Sequence, residues 1–340
     1  MNKLMKNLED PKRPLFGLNY WMLRKMGLIL PDNKIGKFLY IFLHFFATLF
    51  VFTQYLELFV IKSNLDLVLT NLKISMLSIV CVAKANTYVF WQSKWKQLID
   101  YISEADKYER DNKDTIRDII IVNYTKYCRK VVYFYWFMVC VTVITVTNTP
   151  LLKYLSSSKY RDALRNGTES FPHIFSSWVP YDKYKTAGYW VTILYHTLIC
   201  LYGGGVMNTK LFNSLLSPVM FLYVVMCSSM LCFSAYQLTT ATNTTQKLLM
   251  AEYLIFGIMQ LFLFCWHSND VTVKSENVML GPYESEWWTA SPTQRKNIII
   301  LAGQLSRVHT LTAGPFTDLT LSTFVTILKG AYSYYTLLRK

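Results

Sequence analysis

The sequence predicts an all-α membrane protein: seven transmembrane helices, a cytosolic amino terminus, an extracellular carboxyl terminus and a cytosolic helical anchor region. Three observations predict it. Six stretches of roughly 19–28 apolar residues match the length a helix needs to cross a bilayer. All but two of the 35 lysines and arginines, Lys73 and Lys84, lie outside these stretches. The basic residues between the stretches are also distributed unequally, which fixes an orientation.

In chain order, the segment 1–37 is cytosolic. Its prolines at 11, 14 and 31 bracket Leu15–Leu30, where Trp21, Met22, Leu23 and Leu28 suit an interfacial helix. No cleavable leader is expected, because this segment lacks an uninterrupted apolar core, so the first span inserts as an anchor. The six spans are Phe38–Ile61, Leu67–Phe90, Val131–Thr149, Ala187–Thr209, Leu211–Leu238 and Leu248–His267. Residues 38–283 form a six-helix bundle, with helical extensions into the cytosol over 91–130 and an outer loop over 150–186. Such spans must satisfy their backbone polar groups internally, so the chain is read as one bundle.

One junction is too short. Only Lys210 separates the fourth and fifth spans, whereas even compact helix connections take about two residues or more. A cytosolic segment of tens of residues is therefore expected to be omitted near Thr209/Lys210.

The carboxyl-terminal part divides in two. Residues 284–311 carry Trp287, Trp288, Ile298–Leu301, Leu305 and Val308 among polar residues and read as an amphipathic anchor helix. Ala313-Gly314-Pro315 breaks it. Residues 315–340 form the last helix, where Thr317, Thr320, Ser322, Thr323, Thr326, Ser333 and Thr336 alternate with Leu, Phe and Val. Two readings of that hydroxyl-rich face stay open, a helix–helix seam or the water-facing wall of a pore shared by several subunits.

With the amino terminus inside, the inner segments hold 21 Lys and Arg and the outer segments 10. The sequon Asn166-Gly167-Thr168 then lies outside and makes Asn166 a glycosylation candidate. None of the seven cysteines lies in the long outer loop, so no extracellular disulfide framework is expected. The formal charge of +14 is scattered among acids between spans, which fits solvent or lipid headgroups rather than nucleic acid.

Charges inside spans are functional candidates. Glu57 and Lys62 are placed to pair or snorkel. Lys73 and Lys84 lie three turns apart and face protein or water, with Lys84 snorkelling toward the cytosol and Glu252 placed to neutralise one of them. Lys329, inside the last helix, either meets a subunit interface or tunes conductance, and the interface is favoured. The five histidines show no ligand spacing, and His196 reads as a hydrogen-bonded core residue. Gly203-Gly204-Gly205 allows close helix approach or a kink. No catalytic constellation, cofactor or metal site is present, and the chain is not read as an enzyme.

Trp178-Val179-Pro180-Tyr181, Ser275, Tyr283 and Trp287, and Pro315-Phe316, Phe324, Ala331-Tyr332-Ser333-Tyr334 and Leu337-Leu338 resemble the patterns of insect odorant receptors. The resemblance implies a ligand-binding subunit of a heteromeric, odorant-gated, non-selective cation channel, in which four subunits contribute their last helices to one pore. The implied partners are a small volatile, apolar or weakly polar odorant, co-receptor subunits, membrane lipid and permeating cations. The implied location is the plasma membrane of an olfactory neuron dendrite. It further places the gate at Leu337, with Thr336 and Tyr334 adjacent. The implied ligand-binding positions are Ile74, Leu77, Met138, Val141, Thr142, Thr145, Tyr189, Trp190, Ile193, Thr197, Phe233, Tyr236, Tyr253, Phe256 and Gly257. Aliphatic and aromatic walls with a few hydroxyls suit such a ligand.

The nearest alternative is a gustatory-receptor-type ligand-gated channel, disfavoured because its aromatic-rich ending is absent. A G-protein-coupled receptor would place the amino terminus outside and end its third span in a charged motif. Here Thr147-Asn148-Thr149 stands there instead. A secondary transporter would show internal repeats and paired broken helices.

Overall fold

A computed structural model describes residues 10, 12–63, 65–111, 115–156, 158–166, 173–207, 213–241 and 244–339. The described chain is mainly helical, with one antiparallel pair of two-residue strands. Its helices are α1 (Leu18–Lys25), α2 (Lys34–Ile61), α3 (Leu65–Phe90), α4 (Gln92–Asp111), α5 (Thr115–Ser156), α6 (Ser158–Arg165) and α7 (Thr186–Met207). They continue with α8 (Asn213–Thr240), α9 (Thr244–Val278), α10 (Leu280–Glu284), α11 (Pro292–Leu305) and α12 (Leu321–Arg339). Strands β1 (Thr312–Ala313) and β2 (Thr317–Asp318) pair antiparallel just before α12. The expected omission at Thr209/Lys210 lies outside the described residues.

Among the described residues, six helices are long and apolar enough to cross a membrane, in the ranges Lys34–Ile61, Leu67–Phe90, Thr115–Leu152, Ala187–Met207, Ser217–Thr240 and Lys247–Thr289. Their outward faces are apolar: α2 alone exposes Phe38, Phe42, Phe45, Phe46, Phe52 and Phe59. A continuous apolar exterior of this kind is stable only against lipid or another apolar surface. The protein is a multi-pass membrane protein.

The chain forms two compact units, Met1–Leu211 with Ala241–Glu252, and Phe212–Thr240 with Tyr253–Lys340. In the first, α2 packs along α3, and α7 lies against both α3 and α5. Helix α1 and the turn after it bury Leu18, Met22, Leu23 and Leu28 in protein. Gly27, with φ +67, turns the chain back over α2. The carbonyl of Gly27 accepts from His44 Nε2 at 3.1 Å, and Tyr202 Oη lies 2.6 Å from His44 Nδ1. The ring thus donates at Nε2 and accepts at Nδ1.

The glycine run of α7 permits the close approach expected of it. A Cβ on Gly204 would fall 2.7 Å from Val143 Cγ2, and one on Gly205 2.3 Å from Met26 Sδ. Lys84 does not snorkel. It is 3% exposed, and its Nζ donates to the carbonyls of Val206 and Met207 at 2.7 and 3.4 Å. This amine thus ties α3 to the backbone of the last described turn of α7.

In the second unit, α12 packs against α8, and β1 lies on α8 as well. Gly314 N donates to Ser217 O at 2.9 Å, and Gly314, at φ +65, has no room for a side chain, because a Cβ there would stand 3.0 Å from Phe221 Cβ. This turn occupies residues 312–318, so the last helix starts at Leu321 rather than near Phe316. Helix α11 is shorter than the expected 284–311. It starts at a capping box in which the Ser291 hydroxyl accepts from Gln294 N.

Candidate functional site

The segment 173–185 is pinned to its unit by side chains and backbone together. Trp178 N donates to Thr53 O at 3.2 Å. Lys183 Nζ lies 2.8 Å from Glu57 Oε1 and also donates to Ser177 O at 3.2 Å. Both members of the ion pair are largely buried, with 16% and 6% of their side-chain surfaces exposed. His196 is fully buried; it accepts from Phe175 N at 3.4 Å through Nδ1, and its Nε2 lies 2.8 Å from Ser177 Oγ. An imidazole that accepts at Nδ1 carries its proton on Nε2 and donates it to Ser177. Tyr181 Oη meets Thr192 Oγ1 at 3.0 Å. His196 is therefore a hydrogen-bonded core histidine, and Lys183 is the partner of Glu57 that sequence spacing did not identify.

His173 begins this segment, with its ring near those of Tyr184, Tyr189 and His196 at 5.8, 5.4 and 6.2 Å. Burial first, and the Lys183 charge second, hold its pKa below the ordinary histidine value, with Glu57 opposing.

The candidate ligand positions of the first unit sit on α3, α5 and α7. Met138 is buried; Ile74, Leu77, Val141, Thr142, Thr145, Tyr189, Ile193 and Thr197 are half-buried; Trp190 is exposed. The hydroxyls of Thr142, Thr145 and Thr197 each donate one turn back, to Met138, Val141 and Ile193, at 2.8–3.0 Å. They keep their lone pairs for other groups. Lys73 Nζ lies 2.9 Å from Met250 Sδ.

In the second unit, Phe233, Tyr236, Tyr253 and Phe256 are half-buried, and Gly257 is buried. Gly257 is a packing position, because a Cβ there would stand 2.9 Å from Met230 Cε and 3.1 Å from Leu231 Cδ2. The cavity in this unit uses neighbouring positions instead. It measures about 230 Å³ and is lined by Leu231 and Ala235 of α8, Leu254 and Ile258 of α9, and Leu328, Ala331, Tyr332 and Tyr335 of α12. These residues repeat at three- and four-residue spacing on each helix. That pattern is visible in sequence, but the three faces that meet are not.

Helix α12 has two unlike faces. Phe324 stacks edge-on with Phe262 at 5.5 Å, and Ala331 is buried. The opposite face exposes Ser322, Thr326, Lys329 and Ser333, with Thr336 half-buried. Thr326, Ser333 and Thr336 donate to the carbonyls of Ser322, Lys329 and Ser333 at 2.7–2.9 Å. Their donors are used inside the helix, so this face presents oxygen lone pairs outward. Leu337 and Tyr334 are 68% and 65% exposed. Thr320 and Thr323 do not belong to that face. Thr323 N donates to Thr320 Oγ1, and Thr323 Oγ1 donates to Asp318 O at 2.6 Å, so these hydroxyls cap the start of the helix. Asn166 is exposed at the end of α6.

These features define a polytopic helical membrane protein. The family described as 7tm Odorant receptor matches residues 64–210 and 206–332, two stretches that overlap where α7 gives way to α8. The chain belongs to the insect odorant receptor family. It is 30% identical over 128 residues to Odorant receptor 10 of Aedes albopictus, across 38% of this chain and 34% of the relative. It is 28% identical over 128 residues to Odorant receptor Or2 of Anopheles gambiae, across 38% and 34%. The matched stretch thus spans about a third of the length of these curated relatives. The fold matches the insect olfactory receptor OR5 from Machilis hrabei, solved in complex with eugenol, with a TM-score of 0.77 at 14% identity, over 95% of this chain and 98% of that one.

Proposed function

We propose that the chain is the odorant-binding subunit of a heteromeric, odorant-gated, non-selective cation channel, formed with co-receptor subunits in the plasma membrane of an olfactory neuron dendrite. In this reading it crosses the bilayer seven times, with its amino terminus in the cytosol and its carboxyl terminus outside. The single observation that carries the channel reading is the two-sided α12. Its apolar face is packed against α8, while its outward face offers hydroxyl lone pairs, the chemistry of a wall facing water and cations. The 21-to-10 excess of basic residues on the inner segments supports the orientation.

The odorant is a small, weakly polar volatile. Ile74, Leu77, Met138, Thr142, Thr145, Ile193 and Thr197 offer the aliphatic surface and isolated hydroxyl acceptors that such a molecule needs. The eugenol complex of the Machilis receptor supports this class of ligand. Leu337, with Thr336 and Tyr334 beside it, is the gate: a ring of branched apolar side chains closes a pore by excluding water. Residues 284–311 contribute the subunit-holding anchor. A cytosolic segment is missing at Thr209/Lys210, which the meeting of the two matched stretches at 206–210 supports.

The test is co-expression with an odorant receptor co-receptor and current recording against a panel of volatiles. Odour-evoked currents that require both chains support the reading. Surface-expressed protein that answers no volatile, with or without the co-receptor, contradicts it.

A further inference from the structure

Resting on the pore reading of α12, we infer that Lys329 points into the ion path and limits the passage of cations, divalent ones most. Successive residues of an α-helix turn by about 100°, so Ser322, Thr326, Lys329, Ser333 and Thr336 fall within about 80° of arc on one face. Lys329 stands inside that arc, not at its edge. It is exposed, whereas Phe324, Leu328, Ala331 and Tyr335 occupy the opposite face, which packs on Phe262 and lines the cavity with α8 and α9. The ammonium therefore shares the surface on which three hydroxyls turn their lone pairs outward.

Depth strengthens the assignment. Helix α12 runs from Leu321 to Arg339, which puts Lys329 one residue from its midpoint. It lies eight residues from Leu337, about 12 Å along the axis. A lysine at that depth does not face hydrocarbon without a large cost. Helix α12 itself carries no acidic residue to neutralise it. Water in a pore accommodates it, and the position on the hydroxyl face provides that water.

The consequence is electrostatic. In a water-filled pore, one unit charge about 8 Å from the ion path changes the occupancy of a divalent cation about twofold to threefold more than that of a monovalent one. A chain carrying Lys329 thus biases its channel toward monovalent cations, and each further copy in the tetramer adds to the bias.

The experiment co-expresses the chain with a co-receptor and reads the calcium-to-sodium permeability ratio from reversal potentials under odorant. Lys329→Gln should raise the ratio about twofold to threefold, and Lys329→Arg should leave it unchanged. In parallel, Thr326→Cys, Lys329→Cys and Ser333→Cys should all be blocked by an externally applied cationic thiosulfonate. Ile327→Cys, on the flank turned from the hydroxyl face, should not. If Thr326→Cys and Ser333→Cys do not react, the pore reading fails and this inference with it. If those two react while Lys329→Cys does not, or the Lys329→Gln ratio equals the wild-type ratio, the inference alone is overturned.

Discussion

Lys183 and Glu57 form a buried ion pair, 2.8 Å between Nζ and Oε1, that fastens the segment 173–185 to the end of α2. Removing one member of such a pair leaves an uncompensated charge at a cost of about 3–5 kcal/mol, whereas replacing both is far milder. Lys183→Met is therefore expected to lower the thermal stability of the detergent-purified protein sharply. The double variant Lys183→Met with Glu57→Gln should recover most of the loss. Equal losses in the single and double variants would show that the pair does not hold the segment.

His173 gives this region a pH dependence. Its pKa is depressed in the folded protein, chiefly by burial and then by Lys183. The unfolded chain therefore binds the proton more readily, and stability falls as pH falls. The contribution is complete above the ordinary histidine value of 6.5 and is lost as pH drops through it toward the folded pKa. Melting temperatures measured between pH 7.5 and 5 should decline, and His173→Phe should flatten the part of the slope that comes from this ring. A slope identical in wild type and variant would rule the assignment out.

The glycines of α7 should differ in their tolerance of a methyl group. Nothing lies within 4 Å of a Cβ at Gly203, while at Gly204 it would meet the stiff side chain of Val143. Gly203→Ala is expected to stabilise the helix by about 0.5–1 kcal/mol through reduced chain entropy. Gly204→Ala should cost about 1–3 kcal/mol through overpacking. Comparable melting shifts of the same sign would contradict this account of the α5–α7 contact.

Hydropathy made the six long spans legible, because lipid demands about 20 apolar residues in a row and the sequence shows them plainly. Helix ends were less legible. Pro150 marks a stop in the sequence, yet α5 continues through it to Ser156; membrane helices tolerate proline where nearby hydroxyls and neighbours satisfy the backbone. Helix α9 runs to Val278, past His267, on polar residues that support it locally, including the Lys274–Asp270 pair at 2.8 Å. Met22 and Leu28 looked interfacial because hydropathy does not distinguish protein from lipid as the covering medium. The partners Lys183, Val206 and Ser177 were illegible for a different reason. Each contact joins residues far apart in sequence, and a single chain carries no periodic signal for such pairs.

The gate proposed at Leu337, near the end of α12, is the part of the account on which most depends. Its side chain is 68% exposed in the chain by itself, so its removal should not unfold the protein. The decisive measurement is the whole-cell current of cells co-expressing a co-receptor with either the wild-type chain or Leu337→Ala. The account predicts an odour-evoked cation current that needs both chains, and a raised odour-free current or altered permeation in the variant. Unchanged basal current and unchanged ion selectivity, at equal surface expression, would contradict it.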